Sequence, residues 1–248
     1  QYFADGQWSK YRALGEIASP KDPFRVMVEA LGETPGWNLT IPDGPTEVPT
    51  TPDAGLPTLK VFVNGKPFEF ILDTGAPFTV INEDVAAEAG VTPVGSSEGV
   101  IRNDVFGRPA RIERLALGDV SSVNHPVMIV PTEGLTLPER PSENKTIHGI
   151  LGWPLIRRLD IEIDLAASKT IVHKPSVREV DERNLFFFFR PLIAARDTRG
   201  VDLHFLLDTG TDGSILFNRI GKKTKLGKSM KARIGSSTIG KTTRHENG

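Results

Sequence analysis

The chain has 248 residues, a formal net charge of −1, 38% hydrophobic and 25% charged residues, and no cysteine. This composition is ordinary for a globular protein with ample material for a core, and the charge gives no reason to expect nucleic acid or an anionic membrane surface as a partner. Thiol catalysis, disulfides and thiolate metal sites are excluded, and no segment approaches the roughly 20 apolar residues of a membrane span.

The N-terminal residues 1–40 are predicted to form a helical segment. Apolar residues recur near helical spacing from Tyr2 to Ile17, and Pro20 ends the run. A second helix is predicted over 23–31, with Gly32 as its C-terminal stop. The two helices resemble one unit of a tetratricopeptide-type repeat. Because a single unit cannot bury its own apolar face, we expect it to pack on the domain that follows.

The start of the sequence bears weakly on location. No signal peptide is recognisable, but the chain begins at Gln1 rather than at methionine. We interpret this as the removal of a leader or the trimming of the chain. A periplasmic or secreted location is therefore slightly favoured over a cytoplasmic one, and the compartment stays open.

Strands are predicted to dominate beyond a proline-rich linker at residues 41–57. Alternating and apolar runs predict strands at 59–63, 67–73, 78–82, 109–117, 124–130, 160–164 and 169–173. Short helices are predicted at 83–89, after an Asn82 cap, and at 153–159. Residues 131–147 show little periodicity and are predicted to form a surface loop. The fold class indicated for residues 58–180 is mainly β.

The tripeptide Asp-Thr-Gly occurs twice, at residues 73–75 and 208–210. A hairpin pattern and an apolar strand precede each copy, and a second apolar strand follows it. This internal repeat predicts two lobes in tandem, at 58–180 and 185–248. The second lobe is predicted to be incomplete, because it offers no second apolar-apolar-Gly segment followed by a helix.

Each position of the repeated tripeptide has a physical task. The apolar lead-in anchors the aspartate, and the hydroxyl groups of Thr74 and Thr209 can bond the backbone of the opposite loop. Gly75 and Gly210 let the chain turn tightly and bring an N–H group close to the carboxylate. If the loops meet at a two-fold axis, the two carboxylates lie within about 3 Å and cannot both ionise. One can then activate a water while the other polarises a carbonyl.

Residues near both ends of the first lobe resemble the retropepsin-like aspartic protease family. The resemblance is carried by Asp73-Thr74-Gly75-Ala76, and by Ile150-Leu151-Gly152 with the helical stretch after it. It implies that Ile150, Leu151 and Gly152 pack beneath the Asp73 loop and support it. The resemblance covers residues 58–175 well and 185–240 in part. The sequence is similar to bacterial members of the family, some of which carry two lobes in one chain.

The same resemblance implies a flap, the hairpin that covers a bound substrate. The segment that falls at the family's flap position runs from residue 99 to residue 107. The residues expected to form this flap and to contact substrate are Gly99, Val100, Ile101, Phe106 and Gly107.

The resemblance implies an aspartic endopeptidase with two acid-protease β-barrel lobes and an N-terminal helical segment. Asp73 and Asp208 would form the catalytic dyad, oriented by Thr74, Thr209 and the two glycines, with no metal or organic cofactor. The expected partner is a peptide or protein substrate, bound by a monomer acting as a pseudo-dimer. Two alternatives stay open: a catalytically silent peptide-binding or assembly module, and a homodimeric protease that uses Asp73 from two chains.

Three features of the second lobe leave choices open. Thr211 follows its Asp-Thr-Gly copy and could bond the carboxylate or merely support its own turn. The run 186–189 is four phenylalanines, interpreted as a core or inter-lobe strand, with an aromatic substrate-binding cluster as the alternative. Residues 235–242 match the phosphate-loop pattern, but they lie as far beyond Asp208 as the flap lies beyond Asp73. We therefore predict a flap-like hairpin there.

Overall fold

The computed structural model of the protein describes Lys10, residues 22–32, 36–53, 55–102, 105–138, 144–176, 184–187, 190–197, 199–211 and 213–214, and the backbone of 234–238 and 241–245. The helix predicted before Pro20 and the apolar strand predicted after Ser214 lie outside these residues. No helix among the described residues is long and apolar enough to cross a membrane.

The described residues are mainly strand, as the sequence predicts. The helices are α1 (Pro23–Leu31), α2 (Glu83–Ala89) and α3 (Trp153–Ile156), and a 3₁₀ turn spans Thr132–Leu135. The strands are β1 (Asn38–Thr40), β2 (Thr46–Asp53), β3 (Leu56–Val63), β4 (Lys66–Leu72), β5 (Val80–Asn82), β6 (Gly99–Arg102), β7 (Val105–Leu117), β8 (Val120–Val130), β9 (Thr136–Pro138), β10 (Asn144–Thr146), β11 (Gly149–Leu151), β12 (Asp160–Asp164), β13 (Lys169–His173), β14 (Leu185–Phe187), β15 (Pro191–Arg196), β16 (Asp202–Leu206), β17 (Ile234–Thr238) and β18 (Lys241–His245).

A ring-like sheet forms the first lobe. Its strand order is β12-β13-β2-β3-β4-β11-β5-β8-β7-β6, and a further pairing of β3 with β7 closes the ring. Large apolar side chains fill the interior, among them Phe70, Leu72, Ile112 and Met128, each no more than 1% exposed. The order brings β4, β11 and β5 side by side, and these strands carry the segments that the sequence places around Asp73.

The hairpin of β3 and β4 fixes the approach to the site. Asn64 and Gly65 join the two strands with positive φ angles of 49° and 85°. Two consecutive left-handed residues form the tight turn whose twist matches that of a β-hairpin. The turn sets the register Val63↔Lys66 through Thr58↔Ile71, so β4 delivers its buried end to the core.

The proline-rich segment predicted as a linker contains a strand instead. Strand β2 pairs first with β13 and then with β3, and its side chains at 46, 48 and 50 are buried. Each half of β2 pairs with one neighbouring strand only, β13 or β3. The nitrogen atoms of Pro49 and Pro52, which carry no hydrogen, can therefore face the unpaired side of the strand. Proline therefore marks extended backbone here without excluding the segment from the sheet.

The described part of the surface loop predicted at 131–147 is also more regular than its sequence indicates. It contains the 3₁₀ turn and the antiparallel pair of β9 and β10, in which Thr136 lies opposite Thr146. Leu135 and Ile147 are buried at its two ends, and the N–H of Ile147 donates to the carbonyl of Leu135 at 3.0 Å. These two apolar anchors tie the segment to the core.

Helix α1 packs on the first lobe, as expected for a helix that cannot bury its face alone. Asp22 caps it by accepting the N–H groups of Phe24 at 3.0 Å and Arg25 at 3.1 Å. Its residues Val26, Met27, Val28 and Leu31 are buried against the sheet. Val26 to Leu31 therefore form the apolar stripe by which the N-terminal segment joins the β lobe.

A hairpin also leads to the second aspartate, as the sequence repeat predicts. Strands β14, β15 and β16 form an antiparallel sheet, and β16 runs into the second Asp-Thr-Gly copy. The core position expected for the phenylalanine run is not found in its described part, since Leu185, Phe186 and Phe187 are 42–59% exposed. Phe187 does reach the first lobe, with its ring centroid 5.4 Å from that of Trp153. Strands β17 and β18 form the predicted antiparallel hairpin rather than a strand and a helix.

Candidate active site

The Asp73 loop is held from below by β11. This strand runs parallel to β4, with Ile150 opposite Ile71 and Leu151 opposite Leu72. The N–H of Asp73 donates to the carbonyl of Leu151 at 3.0 Å, which continues the ladder one residue past the end of β4. The aspartate is therefore fixed at the point where its strand leaves the sheet.

Gly152 fits where no side chain could. A Cβ atom at this position would overlap the carbonyl oxygen of Phe78 and lie 2.8 Å from the backbone nitrogen of Thr79. The next residue, Trp153, donates its N–H to the carbonyl of Ala76 at 2.8 Å. The Ile150-Leu151-Gly152 segment is thus packed directly against the chain that follows Asp73.

Thr74 and Thr209 exchange hydrogen bonds between the two loops. The N–H of Thr74 donates to Oγ1 of Thr209 at 3.0 Å, and the N–H of Thr209 donates to Oγ1 of Thr74 at 3.1 Å. The Thr74 hydroxyl donates to the carbonyl of Leu207 at 2.6 Å, and the Thr209 hydroxyl donates to that of Leu72 at 2.7 Å. The bonds are related by an approximate two-fold axis, so each loop holds the other in a matched position.

The two aspartates lie across this axis from each other. A Cβ atom on Gly75 would lie 2.5 Å from Cγ of Asp208, and one on Gly210 would lie 2.6 Å from Oδ1 of Asp73. Oδ1 of Asp73 accepts the N–H groups of Gly75 at 2.7 Å and Ala76 at 3.1 Å. Oδ1 of Asp208 accepts that of Gly210 at 3.0 Å. Each carboxyl group is therefore oriented by its own turn and covered by the opposite glycine.

The environment raises the pKa of Asp73 to about 7. Burial contributes most, and the neighbouring charge of Asp208 and a hydrogen bond between the two carboxyl groups act in the same direction. The N–H groups of Gly75 and Ala76 oppose the rise because they stabilise the carboxylate. The pair can therefore keep a proton up to nearly neutral pH, which suits acid–base chemistry.

The flap segment forms a hairpin, with Gly99 opposite Gly107 and Val100 opposite Phe106. The Ile101 side chain lies across Gly107, where a Cβ atom would be 2.8 Å from Ile101 Cγ1. Ile101 packs against the core, and Phe106 is 36% exposed. Gly99 lies against helix α1. Of the residues expected to contact substrate, Phe106 is thus the most open and Ile101 faces inward.

Thr211 supports its own turn. Its hydroxyl donates to the carbonyl of Gly213 at 3.3 Å, and the N–H of Gly213 approaches the same oxygen at 3.5 Å. The sequence left open whether Thr211 bonds the carboxylate or supports its own turn, and the structure shows the second role. The described residues bring no group of three or more His, Asp or Glu side chains together as a metal site would require.

A buried polar path behind the Asp73 loop escapes sequence reasoning. His125 contacts Thr79 and Ser122, and Thr79 in turn contacts Gly152. Thr79, His125 and Gly152 are far apart along the chain and follow no spacing rule. A histidine directly before the apolar run 126–130 was the signal that could have drawn attention to them.

The class of the first lobe follows from its topology and its match to a known family. Residues 59–155 match the family described as aspartyl protease. The match covers most strands of the ring-like sheet, the Asp73 loop, the flap segment and β11 with the start of α3, but not β2, β12 or β13. The first lobe therefore has a retropepsin-like fold, as the resemblance in the sequence implied.

Several solved structures are similar to the chain at low identity. A retropepsin-like aspartic protease from Rickettsia conorii is 17% identical and has a TM-score of 0.38, over 56% of this chain and 94% of that one. The retroviral protease-like domain of Ddi1 from Leishmania major is 15% identical, with a TM-score of 0.34, over 49% and 94%. Basic 7S globulin from soybean is 14% identical, with a TM-score of 0.28, over 53% and 42%. Among curated proteins, none matches the sequence.

Proposed function

We propose that the protein is an aspartic endopeptidase whose dyad is Asp73 and Asp208 of one chain. The observation that carries this proposal is the reciprocal bonding of Thr74 and Thr209. This bonding places the carboxyl groups of Asp73 and Asp208 next to each other. Two adjacent carboxyl groups cannot readily both ionise, so the pair shares a proton. Each of the two Asp-Thr-Gly repeats would then contribute one aspartate.

Peptide hydrolysis by this pair needs only proton transfers. The ionised carboxyl takes a proton from a water, whose oxygen attacks the scissile carbonyl carbon, while the protonated carboxyl gives its proton to the carbonyl oxygen. The tetrahedral diol then collapses: the C–N bond breaks, the nitrogen receives the proton that the first carboxyl accepted, and one diol hydroxyl returns its proton to the second carboxyl, which restores the dyad. The products are a carboxylic acid and an amine. The raised pKa of Asp73 supports a dyad that keeps its single proton up to about pH 7.

The proposed substrate is an extended segment of a peptide or protein. The flap hairpin of β6 and β7 offers strand edges to which an extended chain can bond through its backbone. Phe106, 36% exposed at this hairpin, offers an apolar contact for a substrate side chain. Binding through the substrate backbone tolerates different side chains but requires an extended chain. Unfolded proteins would therefore be cleaved in preference to folded ones.

The homodimeric alternative is less well supported. It requires the Thr74 of a second chain to take the place that Thr209 occupies at 3.0 Å from the Thr74 nitrogen. The second lobe would have to leave the first before such a dimer formed. A catalytically silent module remains the alternative from another class, and the experiment below separates all three.

The test is cleavage of a fluorescently labelled unfolded protein by the full chain between pH 4 and pH 8. Wild type is compared with Asp73→Asn, Asp208→Asn and, as a matched control, Asp202→Asn in the exposed part of β16. Loss of at least 1000-fold in both dyad variants, on the scale of removing a catalytic group, would support the proposal. Loss in Asp73→Asn alone would indicate the homodimer. Inactive wild type with intact peptide binding would indicate the silent module.

A further inference from the structure

His125 is a buried histidine that the proposed chemistry does not use. It lies in β8, is 1% exposed, and meets the ring of Trp37 edge-on at a centroid distance of 5.1 Å. Burial lowers its pKa from the ordinary 6.5 to about 3, and the positive charge of Arg158 adds to the effect. The ring in the folded protein is therefore neutral well below the pH at which an ordinary histidine becomes protonated.

Both ring nitrogens have hydroxyl partners. Nδ1 lies 3.0 Å from Oγ of Ser122, and Nε2 lies 2.9 Å from Oγ1 of Thr79. The same Thr79 oxygen accepts the N–H of Gly152 at 3.4 Å, while the Thr79 carbonyl accepts the N–H of Met128 at 3.0 Å. His125 thus links β8 to Thr79 and, through it, to Gly152.

Thr79 and Gly152 lie directly behind the Asp73 loop. Thr79 is the last residue of the segment 73–79. Gly152 follows Leu151, whose carbonyl accepts the N–H of Asp73. The two segments touch with no room for a Cβ atom at residue 152. Movement of either one is therefore transmitted to the turn that orients the Asp73 carboxyl group.

Protonation of the ring is incompatible with this arrangement of bonds. A neutral imidazole has one donor and one acceptor, so one hydroxyl partner accepts and the other donates. An imidazolium has two donors, so both hydroxyl oxygens must accept, and the hydroxyl hydrogen that previously pointed to the ring loses its acceptor. Because the site is buried, an unpaired hydroxyl hydrogen and a charged ring both cost free energy, and the arrangement from His125 to Gly152 is destabilised.

Among the described residues, no carboxylate is placed to stabilise a charged ring. Arg158 is positive, with its guanidinium carbon 4.5 Å from the Trp37 ring centroid. Across the sheet His125 is opposite Ile112, and the charged neighbours Arg111 and Glu113 alternate to the other face of β7. Strands β1 and β5, helix α3 and residues 76–79 bring no charged residue to it.

We propose that neutral His125 is a positioning residue for the Asp73 loop and that its protonation sets the acid limit of the activity. The proposal rests on the proposed function in so far as it concerns catalysis, but the hydrogen-bond path itself is testable without any activity. It implies that the Asp73 loop loses this support when the ring becomes protonated in acid.

The first test measures amide hydrogen exchange in the full chain and needs no substrate. His125→Gln keeps a donor and an acceptor near the Nε2 position, whereas His125→Phe keeps neither. We expect exchange at Gly152 and Ala76 to be at least 10-fold faster in His125→Phe and nearly unchanged in His125→Gln. Equal exchange in wild type and His125→Phe would overturn the positioning role, whether or not the protein is a protease.

The second test is the pH profile of kcat and KM, with activity normalised to the folded fraction at each pH. We expect His125→Gln to extend the acid limb of kcat by about one pH unit, because an amide does not protonate in this range. His204→Gln, at an exposed position of β16, is the control that leaves the profile unchanged. An acid limb in His125→Gln that coincides with that of wild type would overturn the proposal.

Thr79 provides a second pair of variants in case substitutions at 125 do not fold. Thr79→Ser keeps the hydroxyl, and Thr79→Val removes it with little change of shape. We expect Thr79→Val to lower kcat at least 10-fold with KM nearly constant and to speed exchange at Gly152, and Thr79→Ser to restore both. Equal behaviour of the two variants would contradict the path, while an inactive wild type with the expected exchange pattern would contradict only the proposed function.

Discussion

Gly75 lies so close to Asp208 that a Cβ atom on the glycine would be 2.5 Å from Cγ of the aspartate. Real Cβ atoms do not approach other atoms so closely, so Gly75→Ala must displace the Asp208 carboxyl group, either by rotating its side chain or by pushing the two loops apart. We expect kcat/KM to fall by at least 100-fold, because misplacing a catalytic group by about 1 Å costs this much. The measurement is steady-state cleavage of the labelled unfolded protein by purified variants.

The matched control for this prediction is Gly213→Ala. Gly213 lies three residues past Gly210, and a Cβ atom there would meet no atom of the described residues within 4 Å. Activity close to that of wild type is expected. Full activity in Gly75→Ala would show that the two loops do not meet in solution as they do in the structure.

Thr74 should stabilise the association of the loops through its hydroxyl group. In Thr74→Val the N–H of Thr209 and the carbonyl of Leu207 both lose their partner. We expect the free energy of unfolding to fall by about 1–3 kcal/mol, since partly buried polar groups are left unpaired. Denaturant unfolding followed by tryptophan fluorescence measures it. Thr74→Ser retains the hydroxyl and should recover most of the loss; equal stability of the two variants would contradict the role of these bonds.

The pKa of Asp73 predicts how stability changes from acid to neutral pH. Its folded-state pKa is raised to about 7, so the folded protein binds a proton that the unfolded chain releases near pH 4. The contribution is fully present below about pH 4 and is lost as pH rises to about 7, by roughly 4 kcal/mol in total. The difference in unfolding free energy between wild type and Asp73→Asn, measured at pH 4, 6 and 8, isolates this contribution.

Asp208→Asn separates the causes of that shift. It removes the neighbouring charge, which raises the pKa of Asp73, but it leaves the larger contribution of burial in place. We expect the pKa of Asp73 to fall and yet to stay above its ordinary value. Carbon-13 NMR of labelled aspartate side chains reports it, and an unchanged pKa would show that the two carboxyl groups do not interact.

The lowered pKa of His125 predicts that stability changes with pH in the opposite direction in acid solution. Its folded-state pKa is lowered to about 3, so the unfolded chain takes up a proton that the folded protein resists. The stability it contributes is present above about pH 6.5 and is lost as pH falls to about 3, by roughly 5 kcal/mol. Wild type should therefore lose more stability than His125→Gln between pH 6.5 and pH 4. Parallel curves for the two proteins would contradict a buried neutral ring.

The sequence predicted those parts of the fold whose information is local. The β3–β4 hairpin follows from Asn64 and Gly65, helix α2 from its Asn82 cap, and the loops' meeting from the repeated tripeptide. Strand β2 was missed because its prolines outweighed its alternation, and only its pairing with β13 gives it a place in the sheet. The path from His125 to Gly152 was missed because its members come from different strands and no spacing connects them.

The contacts of Phe24 and its neighbour Pro23 indicate that helix α1 helps to position the candidate active site. Its ring centroid lies 4.5 Å from that of Phe78, a residue 2% exposed in the segment after Asp73. Pro23 beside it contacts Gly99 at the base of the flap, where a Cβ atom would be 2.8 Å from the Pro23 Cα. Helix α1 therefore touches both the flap and the Asp73 segment.

Phe24→Ala should weaken both contacts at once. We expect unfolding to become easier by about 2 kcal/mol, from lost burial and the lost aromatic pair. Because Phe78 then loses a support, kcat/KM should fall by more than the loss of folded protein explains. Phe62→Ala on β3, where the side chain is 37% exposed, is the control and should change both quantities little. If Phe24→Ala lowers stability while the activity per folded molecule stays constant, helix α1 covers the core without positioning the site.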